Sequence, residues 1–402
     1  MTFDLQRRNV LVLSLCQVLF TGSQATFIFL GSLIGYSLAE DKALATLPVS
    51  VVILGTAIMT IPASLYMRRV GRQFGFMSGA LIGIVGALIC ALSVYEAHFW
   101  GFVAGALMVG FYNAFCQYYR FAAADTADES FKSQAISLVL AGGVVAAFIA
   151  PPLASATRDL MAPVAYLGSF LVVAAMAALS FVLHFFLRIP KPQSAAVTGK
   201  GRPIGQIMAQ PRFIIAVLCG MIAYGVMSLI MTATPLAMVA CGLPEQNAGT
   251  VISWHIVAMF APSFVTGHLI ARFGLTPIMG TGVLLLAGCT VLALAGVDFA
   301  NFWFGLVLLG LGWNFLFIGG TTLLTDTYSV AEREKTQAAN DFLVFGATAT
   351  ASLMSGVLLN GFGWDTVYGW SVVNIVAVPF ILIAAVAVAV LVLMRRRAAP
   401  AG

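Results

Sequence analysis

The chain has 402 residues, of which 61% are apolar and only 9% are Asp, Glu, Lys or Arg, with a net charge of +5. Soluble domains carry about 25% charged residues, so these proportions exclude a water-soluble enzyme, and no basic surface for nucleic acid can be built from them. Mean hydropathy is +1.00; apolar runs outlast the roughly 20 residues that cross a bilayer and are far longer than the roughly 10-residue strands of an outer-membrane barrel.

The predicted elements are all helices. The first apolar run continues past Leu30 with no small-residue cleavage site, so it reads as a transmembrane helix and not as a removable signal. Six spans are predicted near 10–37, 46–66, 75–95, 99–120, 133–154 and 162–187. A polar stretch, 188–211, with Pro190, Pro192, Lys200, Gly201 and Arg202, reads as a linker. Six more spans follow near 212–239, 248–270, 276–296, 301–323, 338–359 and 367–394. The expectation is an all-α membrane protein of twelve transmembrane helices: a six-helix unit over 1–187, a cytoplasmic linker over 188–211 and a second six-helix unit over 212–402.

The basic residues orient these spans. Eighteen of the 20 Lys and Arg fall at alternate ends on one side, from Arg7 and Arg8 through Arg68, Arg69, Arg72 and the linker to Arg395, Arg396 and Arg397. Only Lys42 and Arg158 fall on the other. The positive-inside rule places the first side, with both termini, in the cytoplasm.

The six cysteines are scattered and none lies in a CxxC, so neither a disulfide framework nor a zinc site is indicated. The halves repeat at an offset of about 200. Ser64–Gly71 aligns with Gly267–Gly274, Asp125-Thr126 with Asp326-Thr327, and Asn113 with Asn314. Parallel six-helix repeats place a substrate site between the halves near the membrane midplane. On this pattern the chain resembles the major facilitator superfamily along its whole length. The family's 2–3 loop signature is degraded: Arg69 and Gly71 survive, but Arg68 stands where the family has an acidic residue and Ser64 where it has a glycine.

No Asp or Glu lies mid-span; Arg120 and Asp341 are expected at the cytoplasmic interface. The exception inside is His255, eight residues into its span, with Met259 one turn on. The preceding span carries Met227 and Met231, also at i, i+4, and Met231 lies at matching depth. Thioether and imidazole suit Cu(I) better than Zn²⁺, Mg²⁺ or Mn²⁺. Methionines in helix packing and a hydrogen-bonded core histidine would give the same letters.

The two pairs resemble the signature of the superfamily's CcoA-like bacterial copper importers, which supply cbb3-type cytochrome oxidase. That resemblance implies a non-enzymatic importer, expected to be monomeric, that passes copper to a cytoplasmic acceptor. It makes Met227, Met231, His255 and Met259 the ligands. Cys219 and Cys241, which bracket the methionine pair, would be way-stations. No cofactor is expected. Closely related riboflavin importers can share both pairs, and they are the alternative. A flavin would use aromatic and amide side chains, for which Asn113, Gln117, Tyr118, Trp313 and Asn314 are the cavity candidates.

Overall fold

The computed structural model describes residues 3–128, 131–189, 201–363 and 365–398. Pro190, Lys191, Pro192 and Lys200 of the expected linker lie outside the described residues. The first helices are α1 (Phe3–Leu38), α2 (Leu47–Val70), α3 (Arg72–Tyr95), α4 (Phe99–Cys116), α5 (Tyr119–Thr126), α6 (Lys132–Ala156) and α7 (Leu167–His184). A short α8 (Ile204–Met208) precedes α9 (Pro211–Ala240), α10 (Glu245–Phe260), α11 (Ser263–Phe273), α12 (Leu275–Ala295), α13 (Phe299–Thr325), α14 (Arg333–Asn360) and α15 (Thr366–Ala398). Among the described residues, eleven stretches are long and apolar enough to cross a membrane, α4 and α5 counting as one. A twelfth is the pair α10 and α11, bent by 43° at a break.

The differences from the expected spans have local causes. The helix α1 begins at Phe3 and not near residue 10. Its polar first turns are anchored: Asn9 Nδ2 donates to the Arg188 carbonyl at 2.9 Å, and Arg188 N–H donates to Asn9 Oδ1 at 3.1 Å. The sixth span starts at Leu167 because Tyr166 has φ +67°, a left-handed conformation that interrupts a right-handed helix. The eighth span breaks at Ala261–Pro262, where the proline ring clashes with the preceding turn.

Helices α1–α7 pack on one another, as do α9–α15, and the two groups meet along α6 with α10, α2 with α14, and α1 with α9. The repeat is visible in the backbone. Gly71, between α2 and α3, has φ 95° and ψ 159°; Gly274, between α11 and α12, has φ 87° and ψ 161°. Only glycine adopts this state without a steric penalty, which accounts for a glycine at both turns.

The ends of the helices define two faces. The basic face carries Arg68, Arg72, Arg202 and Arg272. Here the residues before α8 are clamped to the second group. Arg202 donates from its backbone N–H and Nε to Glu332 Oε1 at 2.7 and 2.9 Å, and from Nη2 to Oε2 at 2.8 Å. Those hydrogen bonds, with one from the Ser329 N–H, hold the Glu332 carboxyl well below the usual carboxylate range.

At the opposite face the two groups are fastened together. Ser50 Oγ donates to Ser352 Oγ at 3.1 Å, Thr46 Oγ1 donates to the Leu353 carbonyl at 3.3 Å, and Gly356 N–H donates to Thr46 Oγ1 at 3.1 Å. Arg158 Nη1 lies 2.9 Å from Glu245 Oε2, and Tyr166 donates to the same oxygen at 3.0 Å.

Candidate substrate site

Near its middle, α9 presents Tyr224, about 20 Å along the axis from its start at Pro211. The Tyr224 ring meets Trp313 and Phe317 of α13 edge-on, with centroids 5.0 and 4.8 Å away, and Phe345 of α14 at 5.7 Å. Trp313 and Phe317, at i, i+4, stack at 5.2 Å, and Phe260 at the end of α10 closes on Trp313 at 6.0 Å. The result is a wall of five rings assembled from α9, α10, α13 and α14. Tyr224, Phe260, Phe317 and Phe345 keep part of their surface uncovered. The indole Nε1 of Trp313 is buried without a hydrogen-bond partner. An aromatic wall with an unpartnered donor suits a planar, polar-edged heteroaromatic ligand.

Sequence reasoning named Trp313 but missed Tyr224, Phe260, Phe317 and Phe345. The signal was present: Tyr224 precedes Met227 and Met231 at i+3 and i+7, on one helix face, and Trp313 precedes Phe317 at i+4.

Met227 and Met231 continue that face toward the opposite face of the protein, and both are buried, as is Met259. His255 is wholly buried, and its ring is directed to α13, where Nδ1 lies 2.8 Å from the Leu306 carbonyl. Its Nε2 has no hydrogen-bond partner. Cys219 is buried on α9 where Gly320 of α13 approaches it, and Cys241 is the half-buried C-cap of α9. Among the described residues, no three His, Cys, Asp or Glu side chains are grouped so as to hold a metal ion.

The amide candidates divide. Asn314 is fully buried in the helix break. It donates to the Met259 carbonyl at 2.6 Å and to Ser263 Oγ at 2.7 Å, and Thr266 Oγ1 donates to its Oδ1 at 2.7 Å. It thus serves carbonyl and hydroxyl groups that the broken helix leaves open. Its repeat mate Asn113 is equally buried, yet neither of its amide atoms has a partner. Gln117 is the half-buried C-cap of α4, and Tyr118 donates to the Thr60 carbonyl at 3.1 Å. Just past this break stands Arg120, exposed, at the start of α5.

The whole chain is similar to known transporters. A 45% identical relative over 381 residues, 94% of this chain and 96% of its own, is the riboflavin transporter RfnT of Brucella anthropi. The uncharacterized MFS-type transporter YdeG of Bacillus subtilis is 30% identical over 375 residues, 89% of this chain and 87% of its own. Among solved structures, the nucleoside transporter NupG superposes with a TM-score of 0.76 at 16% identity, over 95% of this chain and 99% of that one. A bacterial homologue of the lysosomal transporter Spinster, inward-facing and occupied, superposes with the same TM-score at 15% identity, over 97% of both chains. The model of the Major Facilitator Superfamily matches residues 13–244 and 216–402. With its twelve spans, its paired turn glycines and these relatives, the chain belongs to the major facilitator superfamily.

Proposed function

We propose that this transporter carries riboflavin, or a flavin of the same skeleton, into the cell by alternating access. The observation that carries the reading is the 45% identity to a riboflavin transporter over nearly all of both chains. The ring wall around Tyr224 supports it, because a flavin tricycle needs flat aromatic surface and a few polar partners. The copper reading, first in the sequence, has less behind it, because the 45% identical relative is a riboflavin transporter.

The 18-to-2 basic asymmetry supports a cytoplasmic basic face, and the bacterial relatives support a place in a bacterial inner membrane. The fastened face is then the outer one, and the substrate path opens inward. The experiment is uptake of labelled riboflavin and of copper, side by side, in cells that lack their own importers of either. Riboflavin accumulation that depends on the chain, without copper accumulation, is the expected result. Copper accumulation without riboflavin accumulation reverses the assignment.

A further inference from the structure

The ring wall has a charged border. On α14, Asp341 stands at i−4 from Phe345, so the two share a helix face, with Asp341 about 6 Å nearer the basic face. Phe345 is the ring of that helix that meets Tyr224. From the first group of helices comes Arg120, placed by the break between α4 and α5 and exposed there, its guanidinium 4.8 Å from the Phe121 ring centroid. Arg120 and Asp341 lie within electrostatic range of each other, and Tyr224 and Tyr118 lie within range of both. The Asp341 carboxylate takes a hydrogen bond from the Asn340 amide at 3.0 Å. Among the described residues no direct ion pair joins Asp341 to Arg120. A carboxylate acceptor on α14 and a guanidinium fork at the start of α5 thus come from opposite halves to the border of the aromatic wall.

The flavin pyrimidinedione presents an imide edge: a carbonyl, an N–H and a carbonyl in a row. A carboxylate can accept only, and a guanidinium can donate only. With the tricycle on the wall, its imide edge can extend one helical turn to the charged border.

We propose that Asp341 and Arg120 read the imide edge of the flavin, Asp341 accepting from N3–H and Arg120 donating to an adjacent carbonyl. They are then the specificity-determining residues of the site. This rests on the flavin reading. It also ties recognition to both halves of the protein, since each contributes one partner.

The test uses the purified full-length transporter and the quenching of flavin fluorescence on binding. Riboflavin is compared with its N3-methyl derivative, which keeps the tricycle and loses the one imide donor. A site built to hydrogen-bond a group rejects the analogue that lacks it. The wild type is expected to bind N3-methylriboflavin at least about tenfold more weakly than riboflavin. Asp341→Asn, whose amide offers a donor as well as an acceptor, should weaken riboflavin and bring the ratio to within about twofold. Phe345→Leu should weaken both flavins and keep the ratio, because it alters the wall alone. Equal affinity of the wild type for the two flavins overturns the proposal, and so does an Asp341→Asn variant that keeps the wild-type ratio. No riboflavin binding by folded wild type sinks the flavin reading itself, a separate result from binding without discrimination.

Discussion

Tyr166 donates its phenolic hydrogen bond to Glu245 Oε2 at 3.0 Å, and the two residues belong to different halves of the transporter. Arg158, beside Tyr166 with its guanidinium 4.9 Å from the ring centroid, pairs with the same carboxylate oxygen. Two residues, 79 and 87 positions before Glu245 in sequence, therefore meet it where the closed face must part.

Weakening that contact should loosen the face. Tyr166→Phe removes one hydrogen bond, worth about 1 kcal/mol. The ratio of closed to open forms should fall about fivefold, since 1.4 kcal/mol is tenfold. Spin labels at positions 40 and 367, both exposed, in a background where the variant still folds, should gain a longer distance component. An unchanged distance distribution would show that this contact does not hold the face.

Gly356 should tolerate no side chain. A Cβ there would come within 2.5 Å of Thr46 Oγ1 and 2.7 Å of the Ala43 carbonyl, both from the other half. Gly356→Ala should therefore leave the protein in the membrane but prop the face apart, and cut uptake at least about tenfold. Uptake at the wild-type rate, at equal expression, would contradict the close approach.

Asn113 and Asn314 are matched in sequence and opposite in role. Asn314→Ala removes several hydrogen bonds and leaves buried groups unpaired, so it should cost about 2–4 kcal/mol and lower Tm by several degrees. Asn113→Ala removes an amide that has no partner, and its stability should stay within about 1 kcal/mol of wild type. Thermal unfolding in detergent separates the two; equal losses would refute the assignment.

The Arg202–Glu332 clamp carries a pH signature. Glu332 is held below the normal carboxylate value, so the clamp is fully formed above the unfolded value, about 4.3, and is lost as pH falls through the lower folded one. Hydrogen exchange of Ile204–Met208, corrected for intrinsic rates, should be flat between about pH 5 and 8. In Glu332→Gln the protection should be reduced throughout. Protection that fades between pH 7 and 5 would point to another titrating group.

Met227→Leu and Met231→Leu are close to volume-conserving and should cost under about 1.5 kcal/mol each. Riboflavin uptake should stay within about twofold of wild type in either. Copper uptake that is present in the wild type and lost in these variants would restore the copper reading.

The fold was legible where physics is one-dimensional. Span number followed from apolar run length, and the turn glycines, Gly71 and Gly274, marked the repeat because their positive φ excludes other residues. Helix breaks were harder. Pro262 kinks its span, but Pro62 sits within an unbroken α2, so proline alone did not locate a break. The site was half legible. Trp313 is legible as an aromatic in the right span, yet its partners Tyr224 and Phe260 come from α9 and α10, and no local periodicity joins them. Nor could the letters distinguish Asn113 from Asn314, since the difference lies in whether a neighbouring helix leaves a carbonyl open.

The seam formed by Thr46, Ser50, Ser352 and Gly356 is made of hydroxyls and a bare backbone. When such a seam separates, each hydroxyl trades a protein partner for water, and the net change per bond is small. Little greasy surface is wetted at these positions, so entry of water meets no dewetting barrier there. The threshold for parting is set instead by Glu245, whose carboxylate is held by Arg158 and Tyr166 of the other half and must find new solvation as the halves swing away.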